Sequence, residues 1–220
     1  MPLLLIRHAQ SMNNSLPEEK RSADPELTDL GYRQAEHLAR RLVEWQPERL
    51  ITSAFRRTLQ TTAVVAAATG LKPEVWIDLH EQGGCQSGAS PEVYEGQPGM
   101  TRCEILEEFG EWDLPEEIDE QGWWKSRRWE LPEESETRAR RLTASLVTDF
   151  SDRTTRVAMI THGMFKQILV SALLDRPFIG VEWLGNLHNT AVSQLRLSAG
   201  GSTIDSYNDS SHLPPEMISN

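Results

Sequence analysis

The chain has little cysteine. Cys85 and Cys103 are the only two in 220 residues, and neither has the spacing of a metal ligand. Both are expected to be free thiols in a reduced cytosol. Long apolar runs are missing as well: none approaches the roughly 20 residues that cross a bilayer, so no membrane partner is expected. The first apolar run starts at residue 3 and leaves no room for a signal peptide, which makes a cytoplasmic protein the expectation. Basic charge is in deficit: 22 Lys and Arg face 33 Asp and Glu, a formal net charge of −11. Such a surface repels nucleic acid and anionic membrane, so any site for an anionic substrate must be a local basic pocket. There is no glycine-rich P-loop and no aspartate cluster, and nothing in the sequence asks for a metal, a nucleotide or another cofactor. Internal repeats and low-complexity linkers are absent too.

What is present is a globular balance of 38% hydrophobic and 25% charged residues. The length suits one α/β domain over residues 1–220, with a cap inserted at about 83–133. "LLLIR" at 3–7 is too short for a helix and reads as a buried strand. "ELTDLGYRQAEHLARRLVEW" (26–45) carries Ala35, Leu38, Ala39, Leu42 and Val43 at helical spacing, with Thr28 as N-cap and Pro47 beyond its end. "RLITS" (49–53) is a second strand, and "FRRTLQTTAVVAAATG" (55–70) a second helix stopped by Gly70. "PEVWI" (73–77) is a third strand. Residues 83–133 then break the pattern with Gly, Pro, acidic residues and four of the seven tryptophans, helical only around 102–109. A regular helix resumes at 135–150 with Ala139, Leu142 and Leu146 inward. A buried strand at 156–161 leads into a helix from 162, and 190–197 and 202–207 read as a late strand pair. The expected fold is α/β: three layers, α/β/α, around a mostly parallel sheet, with the cap region inserted.

In such sheets ligands bind beyond the C-terminal ends of the strands. Arg7-His8 and Thr161-His162-Gly163 stand at two of those ends. Ser53 stands at a third, with Arg57 one helical turn on, and Glu81 follows the next apolar stretch. Two guanidiniums and the N-terminus of the helix opened by Gly163 make an anion pocket suited to phosphate. A histidine beside arginines stays neutral and nucleophilic. One histidine can attack phosphorus while the other and the arginines hold the charge. Glu81 can supply the proton for the leaving oxygen.

These residues carry a resemblance. "RHAQSMNN" resembles the N-terminal signature of the histidine phosphatase superfamily, the phosphoglycerate mutase-like family, at Arg7, His8, Gln10, Ser11 and Asn14. "LTDLGYRQA" (27–35), "SAFRRTLQT" (53–61), "LHE" (79–81) and "ITHGMFKQIL" (160–169) match four further family segments in the right order. The resemblance implies His8 as nucleophile, His162 as the second catalytic histidine and Glu81 as proton donor. It places Arg7, Asn14, Arg57 and Gly163 around the phosphate, with no metal and no cofactor. The implied activity is hydrolysis of a small phosphate monoester through a phosphohistidine. The chain departs from the mutases: it has "SLPEEKRS" (15–22) and "QGGC" (82–85) in place of their Phe-Thr-Gly and Arg-His-Tyr-Gly stretches. Mutase-type phosphate transfer is therefore the alternative. Ala9 in place of the family glycine, and the altered glycine spacing after Glu81, leave a third reading: a phospho-ligand-binding protein without turnover.

The remaining candidates have plainer roles. Arg56 and His37 read as solvated helix residues, and His80, His188 and His212 as structural or exposed. Trp123 and Trp124 are expected to cover the core under the cap, with a substrate- or dimer-facing role as the alternative. Arg102, Lys125, Arg127 and Arg128 read as a solvated, ion-paired face, unless one of them binds an anionic part of the substrate. Glu92 and Glu95 are substitutes for Glu81. The substrate's identity and the oligomeric state are open, a homodimer included.

Overall fold

A computed structural model describes residues 1–88, 90–149, 154–178, 184–198 and 200–220. Strand β1 (Pro2–Arg7), followed in the chain by the short helix α1 (Met12–Ser15), runs at the centre of a six-stranded sheet. It pairs in parallel with β6 (Val157–Thr161), which pairs in parallel with β2 (Arg49–Thr52), and β2 with the short β3 (Glu74–Val75). The other edge is antiparallel: β7 (Val192–Ser198) lies along β1, and β8 (Gly201–Asp209) along β7.

Alternation along β1 sends Leu3 and Leu5 to one face and Leu4 and Ile6 to the other. The first face packs on α5 (Pro132–Asp149) and α6 (Gly163–Leu173) through Ala139, Leu142, Leu146, Phe165 and Leu169. The second packs on α2 (Asp29–Trp45) and α3 (Arg56–Thr69) through Leu38, Leu42 and Val65. Each leucine so buried contributes roughly 1.5–3 kcal/mol. The expected three layers are therefore present. No helix among the described residues is long and apolar enough to cross a membrane.

Local sequence sets the element ends. Thr28 Oγ1 accepts from Gly31 N at 3.0 Å and caps α2, while Gly70, at φ 72°, ends α3. Val43 is 47% exposed, so the apolar stripe of α2 is one residue narrower than its spacing suggested. The expected strand at 73–77 closes after Val75. Trp76 N still bonds Thr52 O at 2.8 Å, but Ile77–Leu79 form a 3-10 turn that carries the chain toward Glu81. A short apolar run packs equally well as strand or turn, and its periodicity does not separate them.

Residues 83–131 hold a second, two-stranded sheet of β4 (Gln86–Ser87) and β5 (Glu95–Gly96), together with α4 (Arg102–Phe109). A separate cluster of Phe55, Leu59, Ile105, Ile118, Trp123 and Trp124 packs this segment against the start of α3. Both tryptophans are buried in it, in line with the core-covering role expected of them. The basic residues here are engaged locally. Arg102 donates to the carbonyls of Pro115 (3.0 Å) and Ile118 (3.1 Å), and Lys125 meets Asp119 at 2.6 Å. Arg127 lies 4.0 Å over the Trp124 ring, and Arg128 pairs with Glu134 at 2.5 Å. Arg56 is likewise ion-paired, with Glu108 of α4, where solvation alone was expected.

Candidate active site

The C-terminal ends of β1, β2 and β6 bring Arg7, His8, Ser53, His162 and Gly163 to one place. His8 leaves β1 with its N–H on Thr161 O (2.9 Å). Its carbonyl is held by Asn189 Nδ2 at 3.2 Å. The next amide, Ala9 N, donates to Thr61 Oγ1 at 3.1 Å, and Gln10 N to Gln34 Oε1 at 2.9 Å. Gly31 is needed for the same loop: a Cβ there would lie 2.1 Å from Gln10 O. The "LTDLGYRQA" and "TLQT" segments thus act as the frame of the "RHAQ" loop. The Ala9 methyl packs on Leu27 and Ala35 and does not line the cavity.

His8 Nδ1 lies 2.7 Å from the carbonyl of Ala9. A carbonyl only accepts, so Nδ1 carries the proton and Nε2 keeps its lone pair. Arg57 Nε donates to that Nε2 at 3.3 Å. Burial, then Arg57 and Arg7, hold the imidazole well below its ordinary pKa, so His8 is neutral at pH 7. Arg57 itself is buried, with its guanidinium 4.1 Å from the Phe55 ring. Arg7 donates from one terminal nitrogen to the carbonyl of Leu187, while its Nε is buried with no partner. Burial lowers the Arg7 pKa to about 10, against the attraction of Glu81, and leaves it charged at pH 7.

A cavity of about 560 Å³ opens over these groups, lined by Arg7, His8, Asn14, Arg57, Glu81 and Gly163 among others. Asn14 Oδ1 accepts from Ser11 N (3.0 Å) and Ser11 Oγ (2.9 Å), so its Nδ2 is left for the cavity. The N-terminus of α6 is partly filled from within. Glu81 Oε1 accepts from Phe165 N (2.8 Å) and Gln82 N (3.0 Å), and Oε2 from Met164 N (3.2 Å). Among the described residues the Gly163 N–H makes no hydrogen bond. A Cβ at Gly163 would stand 3.3 Å from Arg7 Nε, so the glycine gives the guanidinium its room.

His162 is placed differently from expectation. It is fully buried and does not line the cavity. Its ring sits 5.3 Å from that of His8 and 4.8 Å from Phe55. Nε2 meets Ser53 Oγ at 2.8 Å, and Nδ1 is buried without a partner. Burial and then Arg57 keep it well below the ordinary histidine pKa.

Several supporting residues had no motif to announce them. Arg138 of α5 donates to the carbonyls of Asp78 (2.6 Å) and His80 (3.1 Å) and grips Glu130 with two bonds of 2.7 Å. It fixes the turn that delivers Glu81. His80 Nδ1 meets the Glu81 carbonyl at 2.8 Å, a structural role as expected. Asp24 Oδ1 accepts from Arg56 N at 2.8 Å and so holds the start of α3, which carries Arg57. Burial pushes its carboxyl up to about 7, although Arg57 pulls the other way.

The family description "Histidine phosphatase superfamily (branch 1)" matches residues 3–210. The chain belongs to that superfamily. It is 28% identical over 203 residues to a glucosyl-3-phosphoglycerate phosphatase of Mycobacterium tuberculosis, covering 88% of this chain and 84% of that one. It is 27% identical over 227 residues to a probable phosphoglycerate mutase of Yersinia enterocolitica, covering 97% and 95%. Among solved structures, a mycobacterial glucosyl-3-phosphoglycerate phosphatase in complex with VO3 superposes with a TM-score of 0.67 at 23% identity, over 95% of this chain and 99% of that one. The superfamily's phosphatases and mutase-like enzymes make this chain an enzyme of the histidine phosphatase type.

Proposed function

We propose that the protein hydrolyses small phosphate monoesters through a phosphohistidine on His8, without a metal or cofactor. The observation that carries the proposal is the state of His8. Its Nδ1–H is fixed on Ala9 O, and its Nε2 lone pair faces a donor of Arg57 rather than an acceptor. A phosphoryl group entering the cavity would displace that bond and meet the lone pair.

Nε2 attacks phosphorus, and the bond to the ester oxygen breaks. Arg7, Arg57, Asn14 Nδ2 and the Gly163 N–H hold the non-bridging oxygens as charge redistributes. Glu81 gives its proton to the leaving oxygen. Oε2 is the better carrier, since it accepts one N–H at 3.2 Å whereas Oε1 accepts two shorter ones. Water then attacks the phosphohistidine with Glu81 as base, releasing phosphate and restoring His8. His162 is the second catalytic histidine of this proposal. It lies behind His8, where the charge of a bound phosphate would raise its proton affinity.

Ala9 supplied part of the case for a binding protein without turnover, but its methyl packs away from the cavity. Hydrolysis of nitrophenyl phosphate after exhaustive chelation tests the proposal. Turnover that survives chelation is expected. Loss on chelation with recovery on added magnesium or zinc would contradict it.

A further inference from the structure

The reaction uses Arg57 of the "SAFRRTLQT" segment but not its first residue, Ser53. Ser53 directly follows β2, and its main chain is already spent. Its N–H donates to Ile160 O of β6 at 3.1 Å, and its carbonyl accepts from Thr58 Oγ1 at 2.9 Å and Thr52 Oγ1 at 3.2 Å. Only the hydroxyl is left. Its one hydrogen bond among the described residues is to His162 Nε2, at 2.8 Å.

The surroundings give that bond a direction. Ser53 and His162 are both 0% exposed, so bulk solvent completes neither. The imidazole is walled by the rings of Phe55 at 4.8 Å and His8 at 5.3 Å, and its Nδ1 is buried without a partner. Burial, then Arg57, hold it well below the ordinary histidine pKa, so at pH 7 the ring carries one N–H and one lone pair. Were the proton on Nε2, Ser53 would accept it. The hydroxyl proton would then have no acceptor and the Nδ1 lone pair no donor. With the proton on Nδ1, Ser53 donates to the Nε2 lone pair, and the hydroxyl proton and Nε2 are both paired. A single orphan remains, the Nδ1–H. Buried polar groups without partners are costly, so the arrangement with one orphan is the more stable.

The orphan is a donor, in a ring that stands beside the residue assigned the phosphoryl group. The non-bridging oxygens of a phosphoryl group are negative acceptors. We propose that Ser53 is a positioning residue: its hydroxyl donates to His162 Nε2, holds the ring proton on Nδ1, and so keeps an N–H for the phosphoryl group on His8. The other tautomer would meet those oxygens with a lone pair and repel the charge that the transition state must spread. The inference rests on the phosphatase reading for the phosphoryl group, whereas the tautomer of the free chain is independent of it.

Nitrogen-15 NMR of the chain labelled at histidine reads the tautomer directly, because protonated and unprotonated ring nitrogens resonate far apart. The signals lost in His162→Gln identify His162. In the unmodified chain at about pH 7, His162 should carry its proton on Nδ1. In Ser53→Ala the Nε2–H form should become populated; Ser53→Cys, close in size and a weak donor, gives the same reading should the alanine variant not fold. Inorganic phosphate added to the unmodified chain should shift the signals of His8 and of His162 Nδ1. Single-turnover phosphorylation by nitrophenyl phosphate should fall about tenfold in Ser53→Ala, the scale of one hydrogen bond. A proton on Nε2 in the unmodified chain, or a tautomer unchanged by the substitution, would overturn the proposal. So would phosphate that shifts His8 and leaves His162 Nδ1 in place, or an unchanged rate. If phosphate shifts neither histidine and nitrophenyl phosphate stays intact, the phosphatase reading fails, while the tautomers of the free chain still judge Ser53.

Discussion

Glu81→Gln separates chemistry from structure within one residue. Glu81 accepts from Phe165 N at 2.8 Å, Gln82 N at 3.0 Å and Met164 N at 3.2 Å. A glutamine keeps one carbonyl oxygen for the two shorter bonds and meets Met164 N with a donor. The structural loss is one long hydrogen bond at a solvent-reachable site, about 1 kcal/mol or less. The chemical loss is larger, because an amide cannot give up a proton to an alkoxide; general acid catalysis is worth roughly 10²- to 10⁴-fold. An alkyl phosphate needs that proton and a nitrophenyl phosphate does not. Single-turnover phosphorylation of the variant should therefore fall severely with the alkyl ester and much less with the nitrophenyl ester, at nearly unchanged stability. The first chemical step must be followed, since Glu81 also activates water in the second. Equal penalties for the two esters would refute the assignment.

Two further outcomes follow from neighbouring positions. Arg57→Ala removes the donor facing His8 Nε2 and should cost on the order of 10²- to 10³-fold in kcat. Arg56→Ala loses an ion pair with Glu108 and should cost little; the reverse order would mean that the wrong arginine faces the phosphate. Asp24 gives a pH signature. Its carboxyl ionises at about 7 when folded against 3.8 ordinarily, so between those values the folded chain holds the extra proton and stability falls as pH rises. Asp24→Asn keeps an acceptor for Arg56 N and should lose less stability than wild type between about pH 5 and pH 8 in denaturant titrations. Parallel curves for the two proteins would remove Asp24 from the account.

The layers of the fold were legible because each regular element carries its own pattern and its own stop. Thr28 and Gly70 mark helix ends by chemistry that acts within a few residues. Arg57 and Arg56 could be told apart by motif register, and the structure puts the first in the cavity and the second on Glu108. What the sequence hides is set by contacts across the chain. Strand β3 stops early because Leu79, buried, and Ile77, half-buried, are covered as well by a turn as by a strand. His162 follows its strand as expected, yet its ring is drawn behind His8 by Ser53 and Phe55. Glu81 spends both oxygens on the amides of α6, an arrangement that no spacing between residues 81 and 165 announces. The cations at 102–128 are consumed by carbonyls, carboxylates and a tryptophan face nearby, while Arg21, in a loop without a pattern, reaches the cavity.

The central claim is that His8 Nε2 takes the phosphoryl group. The most direct measurement mixes the protein briefly with a labelled phosphate monoester, denatures it rapidly and maps the label. Acid-labile, alkali-stable label should appear on His8, and His8→Ala should carry none. Label that persists in His8→Ala, with His162 the first residue to examine, would contradict the account.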